Sequence, residues 1–199
     1  MGVPIVTEMS RKRRDPYRVL ISTLLSLRTK DETTRRAAER LLAKAPGPDE
    51  LLKLRESRIR ALIYPVGFYK TKARVLKEVS RRIVGEYGGK VPDDLDTLLT
   101  LKGVGRKTAN LVVTLGYGKP GICVDTHVHR IANRLGYVRT KNPEETEFAL
   151  REKLPPRYWI PINDCLVAYG QNLCRPVSPF CSRCRLAPYC DRVGVSRHR

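Results

Sequence analysis

A short glycine turn, Gly103-Val104-Gly105, is the feature of this sequence that most restricts its fold. It separates an apolar segment ending at Leu101 from a segment that begins with Arg106 and has the composition of a helix. Glycine permits positive φ and a close approach of the backbone, so a helix can end, reverse and restart within a few residues. Backbone N–H groups at the restart can then point at a phosphate oxygen. The pattern predicts a helix-hairpin-helix that grips nucleic acid without reading base sequence, with an ordinary turn between helices as the alternative.

The rest of the chain also has helical periodicity. Asp15 and Pro16 are suited to be the cap and first residue of an apolar helix over 16–27, and residues 31–45 carry their apolar side chains on one stripe. Further helices are predicted at 49–55, 57–64, 70–90, 95–101, 106–115, 124–136, from 143 onward and at 158–172. No segment alternates with the period of a strand. The sequence therefore predicts an all-α fold.

The chain is strongly basic, with 39 Lys and Arg against 20 Asp and Glu and a net charge of +19. The basic residues cluster at 11–14, 70–77 and 175–199, and a polyanion is the natural complement, so nucleic acid is the favoured partner. Charge does not distinguish DNA from RNA, and a generically basic ribosome-associated or membrane-surface protein is the alternative. No apolar run approaches the roughly 20 residues of a membrane span, and the N-terminus lacks a secretory cleavage site. We expect an intracellular protein of the cytoplasm or nucleoid, without a membrane partner.

Lys107 follows the glycine turn directly after Arg106. A lysine in a nucleic-acid motif is commonly a phosphate contact and no more. Partial desolvation beside another cation would leave some of its amine uncharged and able to attack a sugar carbon. Asp125 lies 18 residues later, where it or Thr126 can cap the next helix. Together the two suggest an amine nucleophile and a carboxylate that stabilises a cationic transition state or carries protons.

Four closely spaced cysteines follow the last long helix with the pattern C-x6-C-x2-C-x5-C: Cys174, Cys181, Cys184 and Cys190. Disulfides are the alternative, but in an intracellular chain this spacing favours a metal site. Thiolates fit either tetrahedral zinc or an iron–sulfur cluster, and the spacing does not separate the two. Arg175, Arg183 and Arg185 lie among the ligands and should turn positive charge toward a phosphate, unless they are only solvated. Cys123 and Cys165 lie in apolar surroundings and are expected to be buried.

Lys107 in its hairpin, Asp125 at its spacing and the four-cysteine pattern, in that order, resemble the endonuclease III family of helix-hairpin-helix DNA glycosylases. The resemblance runs from about Asp15 to Cys190. It implies a two-lobed all-α glycosylase fold. A six-helix barrel lobe would span 9–119, with the hairpin motif at about 95–116, and a second helical lobe would combine 1–8 and 120–199 with a cluster loop at 174–190. It also implies one 4Fe-4S cluster on the four cysteines, which leaves zinc as the minor alternative.

The resemblance implies a bifunctional DNA glycosylase and AP lyase of base excision repair. As a monomer on double-stranded DNA with damaged bases or abasic sites, it would remove oxidised or ring-saturated pyrimidines. Lys107 would attack C1′ of a flipped-out nucleotide, expel the base and form an imine that permits β-elimination 3′ to the site. One rival is a monofunctional mismatch glycosylase, which lacks the nucleophilic lysine. The other is a non-catalytic DNA-binding module.

The resemblance also assigns DNA contacts to individual residues. The hairpin residues Gly103 to Arg106 and Arg175 of the cysteine loop would hold the backbone. Phe68 falls where the family inserts an apolar wedge into the duplex, with core packing as the alternative. Arg28 replaces the glutamine that often fills the space of the flipped base, and a guanidinium can donate two hydrogen bonds to guanine, so a preference for an orphan guanine is predicted. Lys102 replaces a usual proline and could add a phosphate contact.

Overall fold

The computed structural model of the chain describes residues 6–8 and 14–199. Within these ranges every regular element is a helix or helical turn and no strand is present, which confirms the predicted all-α class. Arg14 is the one member of the predicted 11–14 basic cluster that lies in this part of the chain. None of the helices in the described ranges combines the length and apolar character needed to cross a membrane.

The described residues up to Lys119 form one compact unit. Its core draws fully buried side chains from different helices: Leu20, Leu41, Ile63, Leu76 and Leu98. A π-helical turn at Val112–Gly116 follows the last helix of this unit. The helices, numbered along the chain, are α1 (Pro16–Ser26), α2 (Asp31–Lys44), α3 (Pro48–Lys53), α4 (Glu56–Ile63), α5 (Tyr69–Tyr87), α6 (Leu95–Leu99) and α7 (Arg106–Leu111).

Pro120–Arg199 form the second unit. Its core contains Ile122, Val124, Val128, Val138 and Leu150, with partly buried apolar side chains packed around them. Its elements are α8 (Thr126–Arg134), α9 (Pro143–Lys153), α10 (Pro161–Asn172) and 3-10 turns at Pro156–Tyr158, Cys181–Arg183 and Ala187–Tyr189.

Side-chain caps explain why several helices begin where the sequence indicates. The Asp15 carboxylate accepts a hydrogen bond from the Arg18 amide at 3.0 Å, and Pro16 is the first residue of α1. Asp94 caps α6 and Asn142 caps α9 in the same way. Each cap satisfies one of the amides that the first turn of a helix leaves without a partner. Gly88, at φ +57°, ends α5.

Two predicted helices differ from those observed in type or continuity, whereas the others differ only at their ends. The helix expected over 106–115 is α-helical only to Leu111 and continues as the π-helical turn, in which the Thr114 hydroxyl donates to the Asn110 carbonyl at 2.7 Å. The helix expected over 158–172 is divided, because Pro161 has no amide to donate to the preceding turn and instead begins α10.

Residues 6–8 were predicted to join the second lobe, and the structure places them in the unit that extends to Lys119. The reason is an ion pair with α2. The Arg35 guanidinium donates to both carboxylate oxygens of Glu8, at 2.9 and 2.7 Å. This two-pronged geometry suits an arginine–carboxylate pair and fixes the segment against α2.

Candidate active site

The glycine turn forms a hairpin between α6 and α7. Gly103 has φ +76°, and a Cβ there would lie 3.1 Å from Val75 Cγ1, so a side chain would be strained. Val104 is 6% exposed and anchors the turn in the core. Gly105 has extended backbone and caps α7, with nothing within 4 Å of the place where its Cβ would be. The two glycines thus have different roles: one makes the turn and the other leaves an open approach to the backbone.

Lys107 is the second residue of α7 and is exposed, while Arg106 is half-buried. Lys107 is thus accessible from solvent in the free protein. Its exposure does allow a large substrate to reach the amine. Lys102, at the start of the hairpin, forms an ion pair with Glu78 at 2.8 Å.

Asp125 is the N-cap of α8, in the second unit. Its Oδ1 atom accepts hydrogen bonds from the amides of His127 at 2.8 Å and Val128 at 3.0 Å. Of the two predicted caps, Asp125 is the one observed. These bonds orient a half-buried carboxylate at the positive end of a helix.

Two histidines follow Asp125 on α8. His127 Nδ1 lies 3.1 Å from the Arg130 guanidinium, and His129 Nδ1 lies 2.7 Å from the Thr146 hydroxyl. Both contacts are with side chains of the same helix or of its neighbour α9. They hold the surroundings of the cap in place.

Arg28 and Phe68 lie together although 40 residues separate them in sequence. The Arg28 guanidinium carbon is 4.8 Å from the centroid of the Phe68 ring, within the range of a cation–π contact. Phe68 is 59% exposed, so the alternative that it packs in the core is wrong. Both residues have left-handed backbone, at φ +55° and +58°. Such conformations are costly for residues with side chains and cluster at functional sites.

The four cysteines of the C-terminal pattern line one cavity, together with Arg134, Tyr169, Leu173 and Phe180. The Tyr169 hydroxyl lies 2.7 Å from Cys184 Sγ, and the Arg134 guanidinium donates to Cys174 Sγ at 3.5 Å. Nowhere in the described residues do three His, Cys, Asp or Glu side chains converge on a single metal-ion position. The thiols thus surround a space instead of meeting at a point.

Arginines surround an aromatic side chain in the same loop. The guanidinium carbons of Arg175, Arg183 and Arg199 lie 5.2, 5.9 and 4.5 Å from the Phe180 ring centroid. Arg175 is exposed, so it can also reach a ligand. Arg199 was not predicted for this cluster. It arrives because its backbone pairs with Ser182 and Pro179, at 2.9 and 2.8 Å.

The two cysteines outside the pattern differ from each other. Cys123 is buried, as predicted. Cys165 is exposed, which corrects the prediction of a buried thiol. The buried residues of α10 are Asn163, Val167 and Gly170, and their spacing defines one face of the helix. Cys165 lies outside that face.

Lys72, in the first turn of α5, is a further residue that the sequence did not single out. Its ammonium group donates hydrogen bonds to the Leu25 and Leu27 carbonyls at 2.7 and 2.6 Å. Burial lowers the pKa of Lys72 to about 8. KTKARVLK contains several cations, and no local signal distinguishes this one from its neighbours.

Several known proteins are similar to this chain in sequence and fold. Residues 21–156 match the HhH-GPD superfamily base excision DNA repair protein family. The chain is 50% identical over 182 residues to endonuclease III of Thermotoga maritima, a match covering 92% of this chain and 85% of that one. It is 45% identical over 171 residues to endonuclease III-like protein 1 of Bos taurus, covering 84% of this chain and 56% of that longer protein.

Solved structures give the same result. A trapped endonuclease III–DNA covalent intermediate, an estranged-adenine complex, matches with a TM-score of 0.84 and 32% identity over 94% of this chain and 92% of that one. A thermostable thymine-DNA glycosylase matches with a TM-score of 0.83 and 28% identity over 92% of this chain and 87% of that one. The fold is therefore that of helix-hairpin-helix DNA glycosylases, and the chain belongs to the endonuclease III family of the HhH-GPD superfamily of base excision DNA repair proteins.

Proposed function

We propose that Lys107 is the nucleophile of a bifunctional DNA glycosylase and AP lyase that removes oxidised or ring-saturated pyrimidines from double-stranded DNA. Family membership makes the chain a base excision repair enzyme. The observation that carries the residue assignment is the position of Lys107: an exposed amine two residues beyond Gly105, whose backbone is open to a phosphate. A phosphate held by the hairpin would bring a flipped-out nucleotide to this amine.

The proposed reaction uses only groups of the substrate, Lys107 and Asp125. The Lys107 amine lone pair forms a bond to C1′, and the glycosidic bond breaks with its electron pair leaving on the base, which takes up a proton. The attached nitrogen gives one proton to Asp125, and opening of the sugar ring, in which O4′ takes the bonding pair and this proton, gives a protonated imine between Nζ and C1′. Loss of a C2′ proton then expels the 3′ phosphate by β-elimination. The Asp125 carboxylate, oriented by its cap bonds, would stabilise the cationic sugar and accept a proton.

Borohydride trapping tests this assignment. Reduction of the imine should give a covalent protein–DNA adduct with the wild-type enzyme. Lys107→Arg should keep a cation and bind DNA but give no adduct, because a guanidinium does not form the imine. If wild-type enzyme excises the base without an adduct, the lysine mechanism is wrong and a water-activating monofunctional glycosylase is supported. DNA binding without excision would instead indicate a non-catalytic DNA-binding module.

We propose that the hairpin from Gly103 to Arg106 holds the phosphate backbone and that Arg28 and Phe68 enter the duplex. Phe68 would wedge between bases while Arg28 donates two hydrogen bonds to an orphan guanine. Excision rates opposite each of the four bases test this. We expect the fastest excision opposite guanine, and Arg28→Gln should reduce that preference. Equal wild-type rates opposite all four bases would contradict it.

Cys174, Cys181, Cys184 and Cys190 are proposed to hold one 4Fe-4S cluster. Such a cluster is usual in this family, and four thiols lining one cavity suit a polynuclear group in ligand number and chemistry. The cluster would supply a rigid link among the four thiolates and a centre capable of one-electron redox change. Iron and acid-labile sulfide should be found at four of each per chain. One zinc in a colourless protein would support the minor alternative.

Arg175 would contact a DNA phosphate, because it is exposed on the loop that carries the thiols.

We also propose that the enzyme acts as a monomer and that it works in the cytoplasm or nucleoid. The barrel and cluster lobes would correspond to the two compact units. Light scattering of the complex with a lesion duplex tests the stoichiometry. A mass corresponding to one chain per duplex is expected, and two chains per lesion would refute a monomer.

A further inference from the structure

The two proposed duplex-entering residues are on short turns that contact each other directly. Arg28 lies in the turn 27–29, which follows α1, and Phe68 lies in the turn 64–68, which precedes α5. We call them the Arg28 turn and the Phe68 turn. The Gly67 amide donates to the Thr29 hydroxyl at 3.2 Å, which joins one turn to the other. The cation–π contact between Arg28 and Phe68 therefore lies next to a hydrogen bond from the backbone of one turn to a side chain of the other.

Lys72 stabilises the junction between the two turns through its ammonium group. Its Nζ atom donates to the Leu25 and Leu27 carbonyls and lies 3.2 Å from the Thr29 hydroxyl. The last carbonyls of a helix have no partner within it, and a cation is favoured at that end. Because Thr29 also accepts from Gly67, the ammonium group and the Phe68 turn meet at one hydroxyl. Lys72 itself lies in the first turn of α5, which follows Phe68, and its amide donates to the Phe68 carbonyl at 2.9 Å.

Gly67 allows the two turns to lie close together because it has no side chain. A Cβ on Gly67 would lie 2.6 Å from the Arg28 carbonyl oxygen, closer than real Cβ contacts allow. The obstacle is backbone and cannot rotate away. A side chain at position 67 would therefore push the two turns apart.

We infer that Lys72 is a positioning residue that holds the Arg28 turn and the Phe68 turn as one preformed unit, and so determines both entry into the duplex and selection of the opposite base. The inference rests on the proposed function. Two residues with left-handed backbone keep that conformation only where their surroundings fix it. The three contacts of Lys72 and the close approach at Gly67 provide that restraint.

The test compares Lys72→Met and Gly67→Ala with a matched control, Lys77→Met. Lys77 is on the same helix and also donates to a carbonyl, that of Leu54 at 2.9 Å, but touches neither turn. Single-turnover excision is measured on duplexes with thymine glycol opposite each of the four bases. Imine trapping is measured on a single-stranded oligonucleotide with an abasic site, where no duplex has to be entered.

We expect Lys72→Met and Gly67→Ala to slow excision in duplexes about 10- to 100-fold and to bring the rates opposite the four bases toward equality, while trapping on single-stranded DNA is unchanged. Lys77→Met should retain the wild-type ratios. Wild-type selectivity and rate in folded Lys72→Met, or an equal loss in Lys77→Met, would overturn the inference. If Lys72→Met does not fold, the same excision and trapping measurements on Gly67→Ala test the inference. Absence of any adduct with wild-type enzyme would instead refute the proposed lysine mechanism.

Discussion

At the scale of single residues, the Asp125 carboxylate has two roles. It caps a helix and, in our proposal, it also stabilises the cationic sugar. Its Oδ1 atom accepts two amide hydrogen bonds at the start of α8. The capping role needs a side-chain oxygen, whereas stabilisation of a cation needs negative charge. The two roles can therefore be separated by substitutions that keep one and remove the other.

Asp125→Asn should cap α8 nearly as well as the wild type, because asparagine also presents an oxygen acceptor. Asp125→Ala should lower the free energy of unfolding by about 1 kcal/mol. Both variants should slow excision by about 10²- to 10⁴-fold, which single-turnover kinetics measure beside denaturant unfolding. Full activity in Asp125→Asn would limit this residue to its structural role.

Lys72 gives a pH-dependent prediction. Burial lowers its pKa to about 8 in the folded protein, whereas an unfolded lysine titrates near about 10.4. Between these values the unfolded state binds more protons, so this group makes the protein more stable as pH rises from about 8 to 10. The free energy of unfolding of the wild type minus that of Lys72→Met should increase over this range. A constant difference would contradict the lowered pKa.

At the scale of elements, glycines show where helices touch and where they do not. A Cβ on Gly116, in the π-helical turn, would lie 2.8 Å from Pro16 Cα at the start of α1. A Cβ on Gly85, on the exposed side of α5, would meet nothing within 4 Å. The same chemical change should thus have opposite signs at the two positions.

Gly116→Ala should destabilise the protein by about 1–3 kcal/mol, because backbone has to move to admit the methyl group. Gly85→Ala should stabilise it by about 0.5–1 kcal/mol, since alanine restricts the unfolded chain and favours a helix. Denaturant unfolding of both variants tests the pair. Unchanged stability in Gly116→Ala would contradict the cost expected from this backbone contact.

At the scale of the whole molecule, the net charge of +19 governs association with DNA. Most of this charge acts without regard to base sequence, through counterions released from the phosphates. Individual contacts are still countable, because each one contributes to the salt dependence of binding. The arginine cluster around Phe180 is the part of the cysteine loop where such a count is most informative.

Arg175→Ala should reduce the slope of log affinity against log salt concentration by about 0.9, the contribution of one phosphate contact. Arg58→Ala is the control, because it removes an equal charge from an exposed position on α4 that our proposal does not assign to DNA. Fluorescence anisotropy of a lesion duplex over a salt series measures both. An equal change in the two variants would show only a general effect of net charge.

The sequence by itself determined the elements and the motifs. Asp15 and Asp125 predict helix starts from their own side-chain chemistry, and the hairpin and the cysteine pattern are contiguous, so local chemistry is enough to find them. Their limits were less accurate where a contact from elsewhere intervenes. The region after Leu111 becomes π-helical where Gly116 packs on α1, about 100 residues earlier in the chain.

Only the tertiary structure decided which of these residues act together. Arg28 and Phe68 are 40 residues apart, and their contact depends on two turns joined by Gly67 and Lys72, neither of which carries a sequence signal. Exposure was decided in the same way: Cys165 and Lys107 are exposed because of the helix faces on which they lie. The physical reason is that caps, turns and ligand patterns are local, whereas burial and side-chain proximity depend on how distant segments pack.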